Sequence, residues 1–228
     1  MNPVYFCLIF SIIFIFLKFL RSVQYNITGG DNRFVIHIVK MKMPTTSSDI
    51  DNLITQASPW TVGCQEPFFE KDYDTENFDE IQVPSVWQMA GYDTHQYTNI
   101  RYPFPFDPPY VPQDIPCGTY AHTFVYHKDE NAPKAFLNFE GVDSCFYVWI
   151  NGSYVGYSQV SHMTSEFDIT DLLRDGENSI AVLVMKWCDG SYLEDQDKFR
   201  MSGIFRDVYI LKRPKQAISD YHIKTRIE

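Results

Sequence analysis

From Trp60 to Leu211 the chain runs in short apolar stretches separated by Gly, Pro, Asn and Asp, and no long 3.6-residue periodicity interrupts them. Six stretches are rich in β-branched or aromatic side chains and predict strands over 119–126, 135–139, 145–150, 154–158, 179–187 and 207–211. Between the third and fourth lies Asn151-Gly152, a pair that tolerates positive φ at both positions. It predicts a two-residue type I′ turn that makes a hairpin of FYVWI and SYVGY. The run SIAVLVMKW is apolar at successive positions instead of alternating, which predicts a central strand covered on both faces. These features together predict an all-β, two-sheet jelly-roll β-sandwich.

The flanks read differently. Residues 4–20 form a nearly unbroken apolar run, interrupted by Lys18 and followed by Arg21, at the short end of what spans a bilayer. Three readings stand side by side: a signal-anchor, a cleavable signal peptide and translated non-coding sequence. The signal peptide fits less well, because no basic region precedes the run and no small-residue cleavage pattern follows it. As an anchor, the run carries its positive charges on the C-terminal side, which would leave the sandwich in the cytosol. The expected location is therefore cytoplasmic, with membrane attachment through residues 4–20 as the variant. Residues 23–52 lack sustained periodicity and read as a linker or arm. At the other end, residues 219–228 alternate like a half-buried strand whose partners are missing, as if a second domain began there.

Composition narrows the function classes. Aromatic residues at 16% and charged residues at 21% describe a chain apolar enough to fold. A net charge of −10 with no basic stripe excludes nucleic acid and anionic membrane surfaces as partners. Cys7, Cys64, Cys117, Cys145 and Cys188 are odd in number, widely spaced and without a CxxC pair, so they read as reduced, mostly buried thiols. The histidines show no metal-ligand spacing, and no Ser-His-Asp order or glycine-rich phosphate loop is present. Two sequons begin at Asn26 and Asn151, and the second is already explained by its turn.

Three stretches carry a specific resemblance: VPSVWQMAGYDTHQYTNIRYPFPFDPPYVP, FEGVDSCFYVWINGSYVGYSQ and DGSYLEDQDKFRMSGIFRDVYI. They resemble the glycoside hydrolases of family 2, and within that family the β-galactosidases. The likeness covers about 60–228, and the family's usual arm is not traceable before Trp60. It implies a galactose-binding-domain-like jelly-roll over 53–216, after a hydrophobic segment at 1–22 and the linker at 23–52. It further implies that 217–228 is the first strand of an immunoglobulin-like domain cut short. In such enzymes a later (β/α)₈ barrel carries both catalytic glutamates, and loops of the jelly-roll complete the pocket for the terminal galactose. The expected partners are therefore galactosides and the missing catalytic barrel of the same polypeptide, with homo-oligomerisation expected of the full-length protein.

Carried over by motif, the Asn of YTN is Asn99 and the last Asp of YLEDQD is Asp197. The resemblance implies that both contact galactosyl hydroxyls and that Asp197 also ligates sodium. Magnesium is expected only in the full-length enzyme. The chemistry is sound without the likeness, because sugar hydroxyls need donors and acceptors, and an amide with a carboxylate offers both. Sodium would need more oxygens than this chain provides, so its binding here is expected to be weak. Read by composition alone, Asn99 is a turn residue and DGSYLEDQD an acidic surface loop. Glu194, Asp195 and Arg200 read as internal scaffolding of that loop. Pairing Glu194 with Asp197 as acid and nucleophile is rejected, since nothing here forms a cleft that separates their pKa values. The rings of Trp87, Tyr92, Tyr97, Tyr102, Phe104, Phe106 and Tyr110 suit packing better than a stacking platform for sugars. The expected role is a galactoside-positioning domain without catalytic residues of its own. The alternatives are a stand-alone galactoside-binding module and a non-functional remnant.

Overall fold

The strand-forming stretches pair into two sheets whose inner faces make one core. The computed structural model describes residues 33–36, 38–42, 68–70, 73–76, 78–112, 115–194, 196–218 and 220–226. The chain divides into two compact units, Met1–Arg33 and Phe34–Glu228, of which the second carries the sandwich. Its smaller sheet has the order β1 (Arg33–Ile36), β14 (Val208–Arg213), β6 (Lys134–Phe139), β10 (Ser165–Asp168). The larger runs β3 (Asp79–Gln82), β2 (Ile38–Lys42), β5 (Cys117–Tyr126), β11 (Gly176–Met185), β8 (Cys145–Ile150), β9 (Ser153–Ser158). Two short ribbons complete the fold, β4 (Gln96–Thr98) with β12 (Lys198–Arg200), and β7 (Val142–Asp143) with β13 (Gly203–Ile204). Among the described residues no helix is long and apolar enough to cross a membrane, and the apolar run at 4–20 lies outside them.

All six expected strands are present, with ends shifted by at most three residues. The hairpin forms as its turn chemistry requires: Asn151 has φ 52° and Gly152 φ 80°. The Asn151 side chain is engaged inside the protein. Its Nδ2 donates to the Leu172 carbonyl and to Asn178 Oδ1, at 2.9 and 2.8 Å, and its Oδ1 accepts from the Ser179 amide. Asn178, fully buried, also donates to the carbonyls of Arg174 and Gly176, closing the loop that precedes β11. On edge strand β9, Gly156 leaves room for the Phe167 ring of β10, which a Cβ would meet at 2.6 Å.

Strand β11 lies between β5 and β8, and its side chains divide cleanly. Ile180, Val182 and Val184 join Phe124, Leu137, Phe146, Val148 and Ile210 in the core between the sheets. Ala181, Leu183 and Met185 belong to a second cluster on the outer face, with Phe68, Ile115, Cys117, Cys145, Trp149 and Cys188. The outer face is covered by chain from the segments around residues 68 and 115, which explains why SIAVLVMKW is apolar at every position. Cys117, Cys145 and Cys188 are free and buried, as expected of structural thiols, whereas Cys7 and Cys64 lie outside the described residues.

The structure corrects one expectation. The lack of periodicity over 23–52 predicts a linker, yet the stretch contains β1 and β2, which join opposite sheets. Strand pairing needs backbone N–H and C=O groups opposite one another and does not require a sustained side-chain pattern. Residues 220–226 are exposed and pair with no strand among the described residues, as a strand whose partners are missing would be. Alternation makes a strand only where a neighbouring ladder accepts it, and none does so among the described residues.

Because both faces of β11 are buried, substitutions on either face should be costly. Ile180→Ala on the inner face and Leu183→Ala on the outer face are each expected to destabilise the chain by about 2–5 kcal/mol in urea unfolding. An outer-face cost under about 1 kcal/mol would contradict the second core.

Candidate functional site

At the end of β11 the chain leaves the sheet through Lys186, Trp187 and Cys188 and enters a short 3-10 helix, Asp189–Leu193. Lys186 is buried, and its Nζ pairs with Asp93 Oδ2 at 2.5 Å. Asp93 lies three residues before β4 and also accepts from Gln88 at 3.0 Å. The pair fixes the approach to β4 against the exit of β11. A second tie comes from Tyr192 of the 3-10 helix, whose hydroxyl donates to the Tyr110 carbonyl at 2.6 Å and accepts from the Asp107 amide at 3.2 Å. The Tyr102 hydroxyl in turn donates to the Tyr192 carbonyl at 2.9 Å.

Ribbon β4–β12 is the centre of the site. Its register is antiparallel, with Lys198 opposite Thr98, Phe199 opposite Tyr97 and Arg200 opposite Gln96. Asn99 follows β4 and Asp197 precedes β12, so the two residues flank the same end of the ladder, each in a bend. Strand alternation then divides the side chains between two faces. Tyr97 and Phe199 share one face of the ribbon, Asn99 and Asp197 lie in the bends that adjoin it, and all four are exposed. The Tyr97 and Phe199 rings lie 5.5 Å apart, and His95 packs against Phe199 at 5.7 Å. The neighbouring Asp197 carboxylate, which favours the protonated phenol, holds Tyr97 above its ordinary pKa, with desolvation as a second cause. Asn99 also lines an open concavity of about 510 Å³ formed by 96–103; Asp197 stands outside its lining.

The inward face is held by charge. Arg200 is buried and donates to the Thr98 hydroxyl, the Glu194 carbonyl and the Gln196 carbonyl at 2.7, 2.5 and 3.0 Å. Lys198 lies 3.3 Å from Asp143 and 3.6 Å from Glu194, whose other oxygen accepts from the Ser161 amide at 3.3 Å. Glu194 and Arg200 therefore serve the loop's shape, as expected, whereas Asp195 lies outside the described residues. Asp143 gave no signal in the sequence. Burial, assisted by the nearby Glu194 charge, raises its pKa to about 6 despite the opposing effects of Lys198 and Arg200.

The expected aromatic cluster divides. Trp87 is fully buried in the main core, its Nε1 donating to the Tyr120 hydroxyl, and Tyr92 packs against that core. Phe104 is buried against Trp187 and Tyr192, and Tyr102 and Phe106 pack on the same Tyr192 ring. Tyr97 belongs to neither group and lies beside Asn99 and Asp197. For sodium, the carboxylate of Asp197 and the amide oxygen of Asn99 are suitable hard donors. Among the described residues no group of three His, Cys, Asp or Glu could hold a metal ion.

Asp143 supplies a test with a definite sign. Its folded pKa of about 6 exceeds the ordinary 3.8 of an aspartate, so the folded state holds more protons between those values, and ionising Asp143 costs stability as pH rises through that range. Asp143→Asn is expected to stabilise the chain at pH 7 by about 3 kcal/mol at most, with the gain fading as pH falls toward 4. Thermal unfolding across that range measures it; a gain that grew on acidification would contradict the raised pKa.

Comparisons with known proteins agree with this architecture. The family model described as glycosyl hydrolases family 2, sugar binding domain, matches residues 55–214. A beta-galactosidase of Staphylococcus xylosus is 56% identical over 147 residues, which is 64% of this chain and 15% of that protein. A beta-galactosidase of Vibrio cholerae is 48% identical over 159 residues, 70% of this chain and 16% of its own length. The chain therefore spans about 15% of the length of these relatives. Among solved structures, Bacteroides uniformis beta-glucuronidase 2 superposes with a TM-score of 0.53 at 19% identity, covering 80% of this chain and 18% of that one. A beta-glycosidase from Bacteroides vulgatus superposes at 0.51 with 22% identity, over 80% of this chain and 20% of its own, a likeness of fold. With its sandwich, its ribbon and a family match over most of its length, the chain belongs to the glycosyl hydrolases of family 2, as their sugar-binding domain.

Proposed function

We propose that this chain is the sugar-binding domain of a β-galactosidase and presents Asn99 and Asp197 to the hydroxyls of a terminal β-D-galactosyl residue. The observation that supports the reading is the β4–β12 register, which brings the chain at Asn99 and the chain at Asp197 to the same end of one ribbon, with both residues exposed. An amide both donates and accepts, and a carboxylate accepts strongly, so the pair suits vicinal hydroxyls that must do both. Relatives named beta-galactosidase, 48–56% identical over 64–70% of this chain, support galactose over other sugars. Sodium belongs to the same reading: Asp197 gives it one carboxylate, and the rest of its shell would come from elsewhere in a longer polypeptide. A cytoplasmic location suits the reduced thiols, which persist where disulfides do not form.

Hydrolysis would fall to a catalytic barrel carried by that longer polypeptide. The carboxylates nearest the site have other duties here. Glu194 is tied to Lys198 and the Ser161 amide, and Asp143 sits behind the ribbon with Lys198.

Calorimetry with galactose and glucose, beside a nitrophenyl-galactoside assay, tests this function on the 228-residue chain. Weak binding of galactose in preference to glucose, without turnover, is expected. Asp197→Asn should weaken binding about tenfold or more, since a hydrogen bond to a charged group contributes about 1.5–3 kcal/mol. Turnover by this chain, or full affinity in the Asp197 variant, would overturn the proposal.

A further inference from the structure

We infer that Arg200 is the positioning residue that sets the spacing between Asn99 and Asp197, an assignment that rests on the sugar-contact reading of those two residues. The observation is a convergence of partners. Three of the five guanidinium donors are accounted for by hydrogen bonds, and two of these acceptors adjoin the candidate site residues in sequence. Thr98, the acceptor for Nε, precedes Asn99; Gln196, the acceptor for Nη2, precedes Asp197. The third, the Glu194 carbonyl, holds the entry to the same loop. One buried cation thus joins the two halves of the site, which are about a hundred residues apart in the chain and share only a three-residue ladder.

The chemistry of the side chain is specific to this task. A guanidinium is planar, keeps its charge and presents its donors in a rigid fork, so its three acceptors must hold fixed positions relative to one another. Two of the three are main-chain carbonyls, which cannot rotate away from their own backbone. Arg200 touches no outward-facing side chain of the ribbon, since its own lies on the inward face with Thr98 and Lys198. Its effect on sugar is therefore indirect. A lysine would keep the charge but offers a single nitrogen, which cannot serve acceptors spread across the plane of the fork.

The test combines two independent measurements on wild type, Arg200→Lys and Thr98→Val. The first is galactose affinity by calorimetry. By analogy with other residues that support a ligand contact from behind, Arg200→Lys is expected to weaken binding by about 10–100-fold. Thr98→Val, which removes one acceptor and leaves the guanidinium in place, should weaken it less. The second is amide hydrogen exchange. Protection of the Tyr97 and Phe199 amides should fall selectively in both variants, while β11 amides stay protected. A lysine variant with wild-type affinity, or unchanged ladder protection in both variants, overturns the inference. If Arg200→Lys loses β11 protection as well, Thr98→Val decides the matter: selective ladder loss supports the assignment and its absence refutes it. Should wild type bind no galactose, the sugar-contact reading fails, while the exchange data still report whether Arg200 holds the ribbon.

Discussion

Strand β11 is the constraint on which the rest depends. It is central in the six-stranded sheet and buried on both faces, so its path is over-determined by packing from two directions. The residues immediately beyond it inherit that certainty. Lys186 emerges at a fixed place and captures Asp93, and the 3-10 helix begins at a fixed place and captures the 102–110 segment through Tyr192. A ribbon of only three paired residues on each side would be marginal alone. Here it hangs from a strand packed on both faces.

The site built on that ribbon divides labour between its faces. Cations lie inward: Arg200 bonds to backbone, and Lys198 lies between two carboxylates. The groups able to meet a sugar are exposed, with Tyr97 beside Asp197. Burying charge is costly. The cost is concentrated where geometry must be held. The exposed pair gives up little by remaining in water until a ligand arrives.

How much of this was legible in the chain varied with the physics behind each feature. The Asn151-Gly152 turn was readable because positive φ is a local demand that few residues meet. The double burial of β11 was readable because a strand with one face in water alternates, and an unbroken apolar run requires cover on both sides. Strands β1 and β2 were missed because backbone pairing needs no side-chain signature. Ribbon β4–β12 is too short for any periodicity to register, and Asp143 became notable only once burial raised its pKa.

The sequence by itself determined the class of fold, the hairpin, the central strand and the two motifs that hold Asn99 and Asp197. Each depends on local backbone preference or on residue order, and both are written along the chain. Only the tertiary structure decided that Asp197 and Asn99 flank the same end of one ribbon, that Arg200 joins the segments carrying them, and that Tyr97 rather than its aromatic neighbours stands beside them. Those facts depend on which distant segments the two cores bring together. A pairing across a hundred residues leaves no trace in either partner alone.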